Sequence, residues 1–256
     1  MWKFSEIPGK RQQEWESPWG IGFPGWHIEC SVMSSKYLGE HFDIHTGGQD
    51  HIPIHHTNEI AQSESASGKK YVNYWLHGAF LTFKGEKISK SKGGLYTISD
   101  LENIGYKPIH FRYLCLLTHY KKPLNFSLEN LDKAKEIYER LSRKIIEIKN
   151  ENHKGSNKTS FYLIKFVNAI NNDLNIPLAI QVFWEVINDY EFSPKYKIKL
   201  IEKFDKVLGL NIHNMQEIII ILPKVVEKLV ESRERFRKNK MWEEADIIRE
   251  RIKDHG

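Results

Sequence analysis

Two histidines and a glutamate stand together in "PIHHTNEIAQ", residues 53–62. If Pro53 lies near a first helical turn and Gly68 closes the segment, His55 and Glu59 are four residues apart and project from one face. An imidazole and a carboxylate so placed can share a metal ion. The ordinary alternative is a wet helix end with its polar side chains in solvent. Upstream, "FPGWHIECS" (23–31) carries Cys30 with Trp26 and His27 close by. Cys30, His55 and Glu59 would make a mixed sulfur, nitrogen and oxygen set, which suits zinc better than calcium or magnesium. The spacing is too long for a zinc finger. A free cysteine by itself is most often a small buried hydrophobe, and Cys115, inside the apolar run "FRYLCLLTHY", is read that way.

Two further stretches suit phosphate and ribose chemistry. In "FDIHTGGQDHIP" (42–53) an apparent strand runs into Gly47, Gly48 and Asp50. The glycines would let a ligand approach the backbone at the carboxyl end of a strand, where open α/β sheets bind ligands, and Asp50 could take ribose hydroxyls or an amine. The same pattern is also an ordinary turn. In "KGEKISKSKGG" (84–94) Lys87, Lys90 and Lys92 sit among small, flexible residues just after a strand-like run. Such a loop can carry ammonium groups to a phosphate chain and move as a reaction proceeds; a lysine-rich surface turn is its plainer meaning.

The elements that must position these residues change in texture near residue 125. Before it the chain is rich in Gly, His, Trp and Pro, with short apolar runs such as "HFDIHTGG" and "NYWLHGAFLTF" that read as buried strands ending in loops. After "KKPLNFS" the apolar residues Leu131, Ala134, Ile137, Tyr138, Leu141, Ile145 and Ile148 recur at helical spacing, with Ser127 as N-cap. A polar run at 151–160 interrupts this helix. Further helical patterns cover 160–173, 177–189 opened by Pro177, 194–208 closed by Gly209, 223–238 and 241–253. The reading is an α/β segment over 1–125 followed by an all-helical bundle over 126–256.

A hydrophobic content of 40% across 256 residues supports a real core. Two cysteines argue against a disulfide scaffold. No long uncharged apolar run and no basic-then-apolar amino terminus is present, so the expectation is a cytoplasmic protein with no membrane partner. The net charge of +5 permits a polyanionic partner without demanding one.

The stretches "WESPWGIGFPGWHIECSVM", "FDIHTGGQDHIPIHHTNEIAQSE", "WLHGAFLTFKGEKISKSKGG", "FRYLCLLTHYKKPLNFS" and "NDLNIPLAI", in this order, resemble class I aminoacyl-tRNA synthetases, and among them the cysteinyl-tRNA synthetases. The resemblance implies the second half of a class I Rossmann-like nucleotide-binding domain followed by a helical tRNA-binding bundle. It implies a ligase that activates cysteine with ATP and magnesium and transfers it to tRNA(Cys). By the same resemblance Cys30, His55 and Glu59 are three ligands of one zinc per subunit, and Trp26 and His45 line the cysteine pocket. His56 is then a structural partner rather than a ligand, because adjacent residues point to different faces of a helix. Gly47, Gly48 and Asp50 resemble the loop that holds the aminoacyl-adenylate. Lys87, Ile88, Ser89, Lys90 and Ser91 look like the family's "KMSKS" loop with isoleucine for methionine, and Lys87 and Lys90 would meet charge developing on pyrophosphate. Lysines and arginines in "ESRERFRKNK" (231–240) would meet tRNA phosphates.

The chain departs from the family pattern in lacking a "HIGH" motif, an upstream cysteine for the zinc site and the first half of the nucleotide-binding sheet. Smaller departures are Thr46 in the glycine loop, Thr57 and Gly94. The expectation is therefore a carboxy-terminal portion of such an enzyme, a fragment or one piece of a split one, inactive alone and paired with a separate amino-terminal half. A cysteine ligase acting on a small amine and a non-catalytic tRNA-binding or zinc-binding remnant are the alternatives.

Overall fold

The structure, a computed structural model, describes residues 2–83, 86–87, 96–215 and 223–253. It divides into two compact units, Met1–Met215 and Gln216–Gly256.

The first unit opens with an antiparallel pair, β1 (Trp2–Phe4) and β2 (Gly22–Pro24), which delivers the chain to helix α1 (His27–Leu38). Strand β3 (Phe42–Gly48) pairs in parallel with β4 (Val72–Gly78), with Phe42 opposite Val72 and Gly48 opposite Gly78. The crossover between them is a π-helical turn, Ile52–His56, that runs into α2 (Thr57–Ser67). Gly68, at φ 69°, takes the left-handed conformation that ends α2, as its place in the sequence predicts.

The run "NYWLHGAFLTF" reads as one strand but forms two, in different sheets. After β4 the Ala79 N–H donates to the Tyr120 carbonyl (2.8 Å) and the Phe80 carbonyl accepts from Leu124 N–H (3.0 Å). These bonds draw β5 (Leu81–Phe83) away, parallel to β7 (Leu124–Phe126) and antiparallel to β6 (Glu86–Lys87). The expectation of buried strands also fails in β3 and β4, where only the first residue of each, Phe42 and Val72, is buried. Ile44 is 59% exposed and Tyr74, its partner in register, 67%. Phe42 and Val72, at the start of the two strands, join Tyr71 in a small buried cluster, while Ile44 and Tyr74, two residues further along, meet solvent.

Helices α3 (Ile98–Asn103) and α4 (Pro108–Leu116) lead through β7 to α5 (Leu128–Asn150). Ser127 caps α5 by accepting from Asn130 N–H at 3.1 Å. Leu131, Ala134, Leu141, Ile145 and Ile148 are buried, so the stripe read from the sequence is the packing face. Helices α6 (Thr159–Asn171), α7 (Ile176–Asn188) and α8 (Pro194–Leu208) complete this part, and Gly209 at φ 62° closes α8. Their core residues form one cluster with Leu101, Tyr113, Leu114 and Phe126. The second unit contains the hairpin of α9 (Lys224–Lys238) and α10 (Trp242–Lys253). Among the described residues no helix is long and apolar enough to cross a membrane.

Candidate functional site

The parallel pair and its crossover bring chemistry to one place. Cys30, on the first turns of α1, meets His55 from the π-helical turn and Glu59 from α2, with one ligand atom of each lying within 4.8 Å of the others. His45, His56 and Glu59 form a second group on the same criterion. Glu59 belongs to both because its two oxygens face different neighbours. Oε1 lies 2.8 Å from His55 Nε2, and Oε2 lies 3.1 Å from His45 Nε2 and accepts from the Tyr71 hydroxyl at 3.3 Å.

The first of these contacts is close in distance but poorly aligned. Glu59 Oε1 and His55 Nδ1 remain buried without a hydrogen-bond partner. Buried polar atoms are normally paired, and an orphaned carboxylate oxygen beside a thiol and an imidazole is the arrangement a bound cation would complete. The donor set fits zinc: thiol, imidazole and carboxylate, with room in a tetrahedral shell for a fourth ligand.

Without a cation the surroundings favour neutral groups. Burial pushes the Glu59 carboxyl up to about 7 against the Tyr71 hydrogen bond, which lowers it. Burial, then the charges of Glu59 and Glu29, pushes the Cys30 thiol up. Burial holds His45, His55 and His77 below the usual imidazole range, and His56 falls to about 4 from burial and the surrounding histidines. A divalent cation reverses this balance by favouring thiolate and carboxylate.

Histidines and aromatic rings wall the cluster. Trp26, at the start of α1 and 57% exposed, lies over His55 with ring centroids 4.2 Å apart, and His51 stacks on the same ring at 4.9 Å. His45 packs edge-on against Trp75 at 4.9 Å. His56 is buried and its Nδ1 lies 2.7 Å from His77 Nε2, so one of the two neutral rings donates to the other. That contact gives His56 a structural partner, and the ring also stands in the second donor group. The sequence reading did not find His51, Tyr71, Trp75 and His77. The one available signal was the register of β4, which sets Trp75 beside His45 and His77 beside Gly47.

Gly47 and Gly48 end β3 at this cluster. A Cβ on Gly47 would stand 2.5 Å from His56 Cε1 and 2.9 Å from His51 Nδ1, and one on Gly48 would stand 2.4 Å from Asp50 Oδ1. The sequence pattern suits these glycines to the approach of a ligand; what the structure shows at Gly47 is the packing of the histidines themselves. Lys87 ends β6, while Ile88, Ser89, Lys90 and Ser91 lie outside the described residues. Cys115 is half-buried and lines a cavity of about 710 Å³ with Gly47 and Gly78, so it is less enclosed than a core residue.

Residues 1–136 match the model of the family described as tRNA synthetases class I (C) catalytic domain. The chain is 42% identical over 257 residues to cysteine–tRNA ligase 1 of Burkholderia lata, covering 100% of this chain and 54% of that protein. It is 37% identical over 302 residues to the cysteine–tRNA ligase of Zymomonas mobilis, covering 100% and 58%. It thus spans little more than half the length of these relatives. Among solved structures, a ternary complex of Agrobacterium radiobacter LeuRS with tRNA and LeuAMS aligns with a TM-score of 0.54 at 14% identity, over 77% of this chain and 32% of that one. That likeness concerns the fold.

Proposed function

Because the chain belongs to the tRNA synthetases class I (C) family, we propose that it carries the cysteine-recognition part of a cysteine–tRNA ligase. Residues 1–125 would form the second half of the catalytic domain and residues 126–256 the bundle that docks tRNA(Cys). The observation that carries this reading is the meeting of Cys30, His55 and Glu59 within 4.8 Å from two separate segments. Both relatives above are named for cysteine.

Zinc held by these three side chains would bind a substrate thiol as thiolate, for which the hydroxyl of serine is a far poorer ligand. The chain's own residues do the rest. Tyr71 and His45 hold Glu59 through Oε2, which leaves Oε1 toward Cys30 and His55. Trp26 and His45 bound the space for a short side chain. Asp50, beside Gly48, takes the amine or ribose of the adenylate, and Lys87 and Lys90, in the loop with Ile88, Ser89 and Ser91, stabilise charge on the pyrophosphate of ATP and magnesium.

The same reading includes a separate amino-terminal half as partner. Parallel sheets are almost always covered on both faces. The exposed pair Ile44 and Tyr74, with Val32, Met33, Tyr37 and Leu38 exposed on α1, supports cover by further elements of the domain. Calorimetric titration of the zinc-loaded chain with cysteine and with serine tests the proposal. Cysteine should bind about 100-fold or more tighter, because a sulfur–metal contact is lost with the hydroxyl. Equal affinity for the two would refute it.

A further inference from the structure

Asp173 and Leu174, in the turn between α6 and α7, are consecutive non-glycine residues in left-handed backbone, at φ 55° and 52°. No other adjacent pair among the described residues does this. Leucine is a poor occupant of that region, since it has a Cβ to crowd the carbonyl and no polar atom to bond locally. Such a conformation persists where the surroundings over-determine it, and it marks places where position matters.

The surroundings here are specific. Asp173 Oδ1 accepts from the Tyr120 hydroxyl at 2.6 Å, and Lys121 Nζ lies 2.5 Å from Oδ2. Tyr120 and Lys121 belong to the turn after α4, closed by Lys122 N–H donating to the His119 carbonyl at 2.8 Å. The Tyr120 carbonyl in turn accepts from Ala79 N–H, the residue that follows β4. One tyrosine therefore ties the bundle through its hydroxyl and the sheet through its carbonyl. All three segments border the cavity of about 710 Å³, where Leu174 and Tyr120 face Gly47, Gly78 and Cys115.

We propose that Asp173 is a positioning residue: by gripping Tyr120 and Lys121 it fixes the turn that holds the carboxyl end of β4, and so the shape of the cavity beside Gly47. Its meaning for the reaction rests on the reading of the glycine loop as the adenylate site. The grip itself does not.

Cys115 supplies a native reporter. In the Cys30→Ser protein it is the remaining thiol, and because it is half-buried in the cavity wall its alkylation rate by N-ethylmaleimide reads how far the cavity admits a reagent. Asp173→Ala removes both half-exposed contacts and leaves an alanine in left-handed backbone, and together these should raise that rate about ten-fold. Asp173→Asn keeps an acceptor and tolerates left-handed backbone, so it should return to within about three-fold of the parent. Amide exchange at Val182 and Phe183, in the core of α7, should stay unchanged in both. An unchanged rate in Asp173→Ala would overturn the proposal. So would a rise equalled by Asp173→Asn, or by exchange at Val182 and Phe183. Labelling needs no ligand, so failure of cysteine binding would strike the functional reading alone.

Discussion

Replacing Gly47 by alanine tests whether the histidine cluster is packed as described. No left-handed backbone is required at Gly47, so any cost is steric. The new methyl group would stand 2.5 Å from His56 Cε1, 2.8 Å from His56 Nε2 and 2.9 Å from His51 Nδ1. His56 cannot easily yield, because it is 4% exposed and its Nδ1 is held 2.7 Å from His77 Nε2. Overpacking a tight site costs about 1 to 3 kcal/mol. A fixed ring on one side places Gly47→Ala near the top of that range, with about 1 kcal/mol more if the bond to His77 breaks. Gly48→Ala is the control. Its methyl group meets the Asp50 carboxylate at 2.4 Å, but the Asp50 Cγ is already 3.6 Å away, so rotation of one side chain relieves the clash. That variant should lose less than about 1 kcal/mol. Urea unfolding followed by far-UV circular dichroism reads the difference, and Gly47→Ala should lower the midpoint by about 1 M. Equal midpoints for Gly47→Ala and the parent would refute the packing argument, as would a larger loss in Gly48→Ala.

Other outcomes follow from the same structure. Ser127→Ala removes the N-cap of α5 and should cost about 1 kcal/mol in urea unfolding, with Ser127→Asp restoring it. Phe183→Ala empties a fully buried site in the main core and should cost about 3 to 5 kcal/mol, read as a large drop in thermal midpoint. Burial raises the Asp189 carboxyl, but hydrogen bonds from Lys158 and Tyr162 outweigh it and leave it below the usual range. A carboxyl depressed in the folded state adds stability that is present above its unfolded value of about 3.9 and lost as pH falls through the folded one. Asp189→Asn should therefore lose stability at pH 7 and show a shallower acid limb in thermal midpoints measured from pH 7 to pH 2.

The helices were legible because their burial follows one rule. Leu131, Ala134, Leu141, Ile145 and Ile148 need a single apolar neighbour on one side, and helical spacing states that directly. Ser127, Gly68 and Gly209 announce their ends for equally local reasons. The site was legible in part. Its three donor residues carry chemistry in their types, and the structure brings them together. What encloses them was not legible. His77 and Trp75 reach the cluster through strand register, and the π-helical turn at Ile52–His56 buries two adjacent histidines where a regular helix would turn one outward. The exposure of Ile44 and Tyr74 was hidden for a related reason, since an apolar strand reads as buried whatever packs against it.

Metal content is the most direct test of the central claim that Cys30, His55 and Glu59 form a zinc site. The chain and its Cys30→Ser variant, each purified, loaded with zinc and passed through a weak chelator, would be measured by plasma mass spectrometry. The account predicts about one zinc per chain in the parent and a loss of most of it in the variant, because a thiolate is replaced by a poor ligand. Equal zinc in the two proteins would contradict it.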